Sequence, residues 1–269
     1  PTRPLFNRAF MGLYPPASAI KPLLTIFALN NEYTNWTETI LDDGFFRFEE
    51  EERVFNAWRE GGHGLTDLEK ALVESSNPFF MNLSIRYEKD LFVEFLKSSS
   101  FGSKLCEDCY PHQFSPLIDD DWKYKNFGKE LYKGDFINLG VGQGYMLTTP
   151  LHLALISAIL ANRGEYELPY LVLKKQNKLS IKEDLSEEDW NKLHSALINA
   201  VYSKNGTGYR INAGELNLAG KSGTAQVVDI DSREEYDEVR ANPLLRDHAI
   251  FIGFAPYDNP RYSIAVIVE

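Results

Sequence analysis

The chain has 269 residues, of which 43% are hydrophobic and 25% are charged, so it can bury a substantial core and is neither a disordered tail nor a disulfide-dependent miniprotein. Its 28 Lys and Arg against 39 Asp and Glu give a formal net charge of -11, which argues against nucleic acid or an anionic membrane surface as the main partner. A small molecule or a peptide therefore fits better as the ligand. No apolar stretch approaches the roughly 20 residues of a membrane-spanning helix.

The first predicted element is a buried helix that begins near Ser18. The Pro15-Pro16 step predicts extended chain, because a residue before proline avoids the helical region. Ser18 is a residue type preferred at helix starts, and the apolar run at 20–29 predicts a helix. Pro22 is compatible with this helix only in the first turn, where a missing N–H loses no hydrogen bond. Ser18 is therefore placed at the helix start.

The next segment is irregular, and helices follow it. Residues 31–64 are aromatic and acidic, which favours a long surface excursion. Thr66 and Glu69 have the spacing of a capping box and predict a short helix there, which the step at 75–78 interrupts. A loop is predicted up to about residue 130. Further helices are predicted at residues 79–85, 91–96, 151–161 and 187–202.

The last third of the chain is rich in short runs of Val, Ile and Phe. These runs predict antiparallel strands at residues 218–228, 249–254 and 262–268. The polar, acidic residues 229–245 predict a mobile loop between two of them. Helices in the middle and strands at the end predict an α+β fold with a central antiparallel sheet flanked by helices. With no evident repeat or linker, residues 1–269 are expected to form a single domain.

The two cysteines, Cys106 and Cys109, form one Cys-x-x-Cys step. This spacing is compatible with a local disulfide, two free thiols, a redox pair or half of a zinc site. A complete zinc site needs further ligands at matching spacing, and only His112 lies close by in sequence. A disulfide or free thiols are favoured.

Ser18 and Lys21 form a Ser-x-x-Lys pair. Residues three positions apart share a helix face, so the amine can reach the hydroxyl, and a helix N-terminus favours an alkoxide or oxyanion. Lysine acts as a base only when neutral, which desolvation and a nearby cation can achieve. The alternative is that Ser18 merely caps the helix and that Lys21 extends to solvent.

Two further motifs carry polar side chains in defined places. Ser75 and Asn77 form a Ser-x-Asn step between predicted helices, where a simple helix cap is the alternative. Lys221, Ser222, Gly223 and Thr224 lie in a predicted strand. Glycine in a strand marks a close approach by another backbone, such as a peptide added to the sheet edge. An ordinary edge strand with a bulge is the alternative.

The three motifs occur together in the order shared by penicillin-binding proteins and class A β-lactamases. The chain resembles the transpeptidase domain of class B penicillin-binding proteins, and within them the elongation-type penicillin-binding protein 2 group. The resemblance implies the fold of penicillin-binding proteins and serine β-lactamases. Further stretches that carry it are residues 13–22, 141–145 with 149–150, 205–207, 219–226 and 246–256.

The resemblance implies acyl transfer from a peptidoglycan stem peptide that ends in D-Ala-D-Ala. Ser18 would be the nucleophile and Lys21 the base. Ser75 would relay a proton to the leaving nitrogen, Asn77 would hold Lys21, and Lys221 would keep the local potential positive. The product would be a cross-link made during lateral cell-wall elongation, and β-lactam antibiotics would acylate the same serine.

The resemblance also implies how the substrate is bound. The hydroxyls of Ser222 and Thr224, beside Gly223, would receive the substrate carboxylate. The backbone N–H groups of Ser18 and Thr224 would form the oxyanion hole. No cofactor and no metal ion are implied for this chain. Similar proteins can carry a zinc site ahead of the Ser-x-Asn motif, and His63 could remain from it, but no cysteine lies there.

The cellular setting follows from the resemblance alone. It implies a domain truncated at both ends, without the N-terminal membrane anchor and pedestal domain, that works at the periplasmic face of the bacterial inner membrane. The expected partners are a SEDS-family membrane glycan polymerase and a rod-shape scaffold protein, with no nucleic acid. Ala17 stands where the family usually has glycine, which makes the approach to the nucleophile bulkier.

Two other functions fit the same motifs. The first is a D,D-carboxypeptidase or β-lactamase on the same fold, in which water resolves the acyl-enzyme. Water needs an activating base near Ser18, and no glutamate can be assigned to that task from the sequence. The second is a non-enzymatic β-lactam sensor or scaffold domain.

Overall fold

The computed structural model describes residues 3–48, 52–172, 177–211, 213–226 and 246–269. Within these ranges the α-helices are α1 (Arg8–Met11), α2 (Lys21–Asn30), α3 (Leu68–Val73), α4 (Asn77–Ser84), α5 (Lys89–Ser98), α6 (Asp120–Phe127), α7 (Lys133–Leu139), α8 (Pro150–Ala161) and α9 (Glu187–Tyr202). Short 3-10 helices lie at Ala17–Ile20 and Tyr209–Ile211. The strands are β1 (Ile40–Asp42), β2 (Phe45–Phe48), β3 (Arg53–Asn56), β4 (Gly64–Thr66), β5 (Glu165–Tyr166), β6 (Leu179–Ser180), β7 (Ala219–Ala225), β8 (His248–Ala255) and β9 (Tyr262–Val268).

The main sheet confirms the predicted α+β class. Strands β7, β8 and β9 form an antiparallel sheet in that order, and α8 and α9 pack against it. Helix α8 is buried along most of its length, because it packs between the sheet and the rest of the core. In β8, Ile250, Ile252 and Phe254 are buried, as expected for alternate residues of a strand with one face in the core.

Helix α2 runs through the centre of the core. Its residues from Lys21 to Ala28 are all buried. The Phe27 ring packs against the rings of Tyr87, Phe92 and Phe95, with centroid separations of 4.9, 5.5 and 5.1 Å. A fully buried side chain of this size contributes about 1.5–3 kcal/mol of transfer free energy. The helix that carries Lys21 is therefore held by packing from Lys21 to Ala28.

Three local predictions were wrong in detail. The cap of α3 is Asp67, whose side chain accepts from the Lys70 N–H, whereas Thr66 lies in β4. The excursion at 31–64 contains paired strands, β1 with β4 and β2 with β3. The predicted loop before residue 130 contains α6, which Asp119 caps and Gly128 ends in a left-handed conformation.

Two other features concern single segments. Cys106 and Cys109 form a disulfide, which is one of the two favoured states. The predicted mobile loop at 229–245 and the end of the predicted strand at 227–228 lie outside the described residues. Among the helices that the structure describes, none has both the length and the apolar character to cross a bilayer.

Candidate active site

Ser18 lies in a tight turn that leads into α2. It is partly exposed, whereas Ala17, Ala19 and Ile20 around it are buried. Ala17 has a φ of +48°, a left-handed conformation in which a Cβ costs roughly 1–2 kcal/mol. The 3-10 turn thus presents one hydroxyl at the surface of a rigid core.

The loop at 140–145 packs directly against this turn. The Ala17 N–H donates to the Gly142 carbonyl at 2.8 Å. Gly142 has a φ of +69°, and a Cβ there would lie 2.2 Å from the Ala17 carbonyl oxygen. Only glycine permits this backbone-to-backbone contact, so the loop fixes the position of residues 17–20, the proposed nucleophile turn.

Lys21 lies one turn after Ser18 and is fully buried. Its backbone N–H donates to the Ser18 carbonyl. Its Nζ donates to Asn77 Oδ1 at 2.8 Å and lies 3.1 and 3.2 Å from the carbonyl oxygens of Ser75 and Ser76. The second motif therefore holds the lysine of the first motif in place.

Lys221 reaches the same point from the opposite side. Its Nζ donates to Ser75 Oγ at 2.9 Å and to the Ser222 carbonyl at 3.0 Å. The Nζ of Lys21 lies 3.5 Å from the same Ser75 hydroxyl oxygen. Ser75 thus stands between two buried lysines, and its hydroxyl can accept a proton from one and donate to the other.

Both lysines are electrostatically destabilised as cations. Burial, and then the charge of Lys221, hold the pKa of Lys21 well below its ordinary value, while Asp42 acts in the opposite direction. Burial lowers the pKa of Lys221 to about 7. Within the described residues, no carboxylate forms an ion pair with either lysine. Lys21 therefore loses its proton more easily than an exposed lysine does, as a general base requires.

Strand β7 passes close to the nucleophile turn. A Cβ at Gly223 would lie 3.1 Å from the Ala19 nitrogen and 3.3 Å from the Ser18 nitrogen. Ser222 Oγ donates to Thr207 Oγ1 at 2.7 Å. Thr224 is exposed, and its carbonyl accepts from Gln143 Nε2 at 3.3 Å. The exposed edge of β7 therefore lies beside Ser18.

Comparison with known proteins identifies this arrangement. The family model described as "Penicillin binding protein transpeptidase domain" matches residues 1–269. The chain belongs to this family. The resemblance inferred from the three motifs is thereby confirmed, and so is the fold that it implied.

Individual relatives show which group of penicillin-binding proteins this chain resembles. The chain is 34% identical over 278 residues to the peptidoglycan D,D-transpeptidase MrdA of Haemophilus influenzae, covering 99% of this chain and 43% of that protein. A Pseudomonas aeruginosa PBP2 in complex with WCK 5153 matches with a TM-score of 0.85 and 30% identity, over 99% of this chain and 57% of the other. A Helicobacter pylori PBP2 in complex with MreC matches with a TM-score of 0.82 and 28% identity, over 99% and 48%. The chain thus spans less than half the length of the H. influenzae relative.

The penicillin-binding protein fold brings the motif residues chosen from the sequence into one cluster. Hydrogen bonds join Lys21, Ser75, Asn77 and Lys221. Ser18 lies in the turn that leads into Lys21, and residues 222–224 form the strand segment beside that turn. Sequence reasoning assigned no role to two neighbours. Thr207, within the quoted stretch 205–207, accepts from Ser222, and Trp58 Nε1 donates to the Ser75 carbonyl at 3.3 Å. Nothing local in the sequence marks Trp58.

The zinc site of similar proteins does not fit the residues present here. His63 Nδ1 lies 2.7 Å from Asp42 Oδ2, and Nε2 is buried without a partner. Across the described ranges, the one group of three metal-capable side chains is Cys106, Asp108 and Cys109, and both sulfurs belong to the disulfide. His63 and Asp42 therefore form a hydrogen-bonded pair rather than part of a complete ligand set.

Proposed function

We propose that this chain is a peptidoglycan D,D-transpeptidase domain that cross-links stem peptides through an acyl-enzyme on Ser18, in lateral cell-wall elongation. The observation that carries the proposal is the convergence of two buried lysines on Ser75 beside a partly exposed serine. A capping serine and a solvent-directed lysine would produce none of these contacts. The naming of the relatives as D,D-transpeptidases supports the same reaction.

The first step is the acylation of Ser18. Its Oγ attacks the carbonyl carbon of the penultimate D-Ala, and its proton passes to neutral Lys21. The negative charge on the carbonyl oxygen would be stabilised by the backbone N–H groups of Ser18 and Thr224. Asn77 orients Lys21 through the 2.8 Å hydrogen bond, so the amine stays in place beside the Ser75 hydroxyl.

Collapse of the tetrahedral intermediate releases the terminal D-Ala. The bond between carbonyl carbon and nitrogen breaks, and the leaving nitrogen takes a proton from the Ser75 hydroxyl. Lys221, which donates to Ser75 Oγ at 2.9 Å, and Lys21 can restore that proton. The proton taken from Ser18 is thereby delivered to the nitrogen of the released D-Ala.

Substrate binding would use the edge of β7. An extended peptide can pair with this edge as an added strand, and the missing side chain at Gly223 brings the strand close to Ser18. The hydroxyls of Ser222 and Thr224 would hydrogen-bond the terminal carboxylate. Lys221, when protonated, attracts the same carboxylate. A β-lactam carboxylate would occupy this position during acylation.

The second step passes the acyl group to an amine. A primary amine from a second stem peptide attacks the ester carbonyl carbon and gives a proton to Lys21. The bond from that carbon to Ser18 Oγ then breaks, and Lys21 passes the proton to the Ser18 oxygen. No described carboxylate hydrogen-bonds to Ser18, Lys21, Ser75 or Lys221, which disfavours rapid hydrolysis by an activated water. This favours the proposed cross-linking enzyme over a hydrolase on the same fold, and neither step needs a cofactor.

The relatives support a cellular setting as part of the proposal. We place the domain at the periplasmic face of the inner membrane, with a SEDS-family glycan polymerase and a rod-shape scaffold protein as partners. The solved complex of the H. pylori relative with MreC supports a protein partner for this branch.

Intact-mass measurement with penicillin tests the nucleophile. We expect a stoichiometric penicilloyl adduct on Ser18 that is absent in Ser18→Ala, and loss of cross-linking by this variant in a reconstituted assay with lipid-linked substrate. An adduct on another residue, or unchanged cross-linking, would refute the assignment of Ser18. Sustained fast turnover of a chromogenic cephalosporin would identify a hydrolase, and acylation without any cross-linking by the wild type would identify a sensor.

A further inference from the structure

A buried carboxylate lies behind the second motif. Asp42, the last residue of β1, is fully buried. Its Oδ2 accepts from Ser76 Oγ at 2.5 Å and from His63 Nδ1 at 2.7 Å, and its Oδ1 accepts from the Gly44 N–H at 3.0 Å. Burial opposes ionisation, but these hydrogen bonds hold the pKa of Asp42 below its ordinary value. Asp42 is therefore a buried anion with three donors.

Ser76 connects this anion to the residues that contact Lys21. Its hydroxyl donates to Asp42 and accepts from the Phe79 N–H at 3.2 Å, which caps α4. Its carbonyl oxygen lies 3.2 Å from Lys21 Nζ. Ser76 is covalently flanked by Ser75 and Asn77, so a displacement of Ser76 moves both groups relative to Lys21.

The segment at residues 31–64, which contains Asp42 and His63, also holds Ser75 in place. Ser75 has a φ of +63°, a conformation that a serine keeps only when its surroundings impose it. Trp58 Nε1 donates to the Ser75 carbonyl at 3.3 Å, and the Trp58 ring meets the His63 ring edge-on with centroids 5.6 Å apart. Asp42, His63 and Trp58 thus act together on the Ser75–Asn77 step.

We propose that Asp42 is a positioning residue for the second motif, which through Ser76 sets the places at which Ser75 and Asn77 contact Lys21. This inference rests on the proposed acylation of Ser18. Asp42 touches neither the substrate nor the reacting atoms. Its charge reaches the reaction through Lys21, which gives it a measurable signature beyond structural support.

That signature is the pH dependence of acylation. The charged groups that face Lys21 in the described residues are Lys221 on β7 and Asp42 on β1. Ser75, from the α3–α4 connection, and Asn77, the first residue of α4, face it as neutral groups. Asp42 favours the protonated form of Lys21, so its removal lowers the pKa of Lys21 further. The ascending limb of the acylation rate against pH should then move to lower pH.

The experiment compares Asp42→Asn with Asp43→Asn. Asp43 is exposed, so the control makes the same charge change one residue away. The measurement is the second-order rate of penicilloylation of Ser18 between pH 5 and pH 9, with folding verified by circular dichroism. The maximal rate in this range is taken as the plateau, and the rise below it as the ascending limb. For Asp42→Asn we expect about a fivefold fall in the plateau, because a neutral acceptor binds Ser76 less strongly than a carboxylate, and an ascending limb displaced to lower pH. Asp43→Asn should match the wild type in both.

A second variant keeps the test decisive if Asp42→Asn does not fold. Ser76→Ala removes the link but keeps the Asp42 charge, so the plateau should fall about tenfold while the limb moves less than in Asp42→Asn. Plateaus and limbs indistinguishable from Asp43→Asn would overturn the positioning role and leave the proposed function standing. A wild-type chain that is never acylated would overturn the proposed function, and the positioning role with it.

Discussion

Gly223→Ala tests whether the closeness of β7 to the nucleophile turn matters for acylation. The added Cβ would lie 3.1 Å from the Ala19 nitrogen, 3.2 Å from the Pro16 oxygen and 3.3 Å from the Ser18 nitrogen. Ordinary contact begins at 3.4 Å, so the strand or the turn has to move by about 0.3 Å. All three neighbours are backbone atoms of a tightly packed turn, and none can rotate away.

The expected magnitude follows from that displacement. A misplacement of about 1 Å costs roughly 100-fold in rate, so on a logarithmic scale about 0.3 Å costs roughly fourfold. Overpacking of a rigid core also costs roughly 1 kcal/mol or more of unfolding free energy. We therefore expect Gly223→Ala to lower the acylation rate of Ser18 about fourfold and the stability by about 1 kcal/mol.

Stopped-flow acylation with a fluorescent penicillin and urea denaturation measure the two effects separately. The matched control is Gly208→Ala, whose Cβ would lie 3.0 Å from the Ala200 carbonyl oxygen, against α9 instead of the nucleophile turn. This variant should lose similar stability and keep an acylation rate within about twofold of the wild type. A wild-type rate in Gly223→Ala, or an equal loss of rate in both variants, would refute the reasoning.

Three further predictions concern the lysines and the nucleophile turn. The acylation rate of the free protein should rise with pH through the lowered pKa of Lys21 and fall above about pH 7, as Lys221 loses its proton; a single rising limb up to pH 9 would contradict the role of Lys221. Lys21→Arg should abolish acylation, because guanidinium stays charged, and mass spectrometry would reveal any residual adduct. Ala17→Gly should raise the unfolding free energy by about 0.5 kcal/mol, because relief of the left-handed Cβ outweighs the added entropy of the unfolded glycine; chemical denaturation that shows a loss of stability would contradict this account.

The ionisable side chains at the site are lysines, whereas the chain as a whole carries a net negative charge. A chain with net charge -11 buries two lysines, Lys21 and Lys221, without an ion pair to either among the described residues. Ordinary packing would expose such side chains or pair them. Destabilised cations are characteristic of functional sites, and in the proposed mechanism Lys21 acts as the base while Lys221 attracts a carboxylate.

The sequence by itself determined the fold class and which residues form the three motifs. Periodicity and caps placed α8 and α9 closely, and runs of Val, Ile and Phe placed β8 and β9, because these signals are local. The sequence also identified Ser18, Lys21 and Lys221 through their order along the chain and their spacing. It also predicted a close approach by another backbone at Gly223, because glycine inside a strand often marks such an approach.

Only the tertiary structure decided what stands behind the motifs. Trp58 contacts Ser75 and Asp42 contacts Ser76 across 17 and 34 positions of the chain, and no local pattern encodes such contacts. The departure at Ala17, interpreted from the sequence as extra bulk, is in the structure a left-handed φ. Burial, the state of the disulfide and the pKa of each lysine depend in the same way on neighbours that only the folded chain brings together.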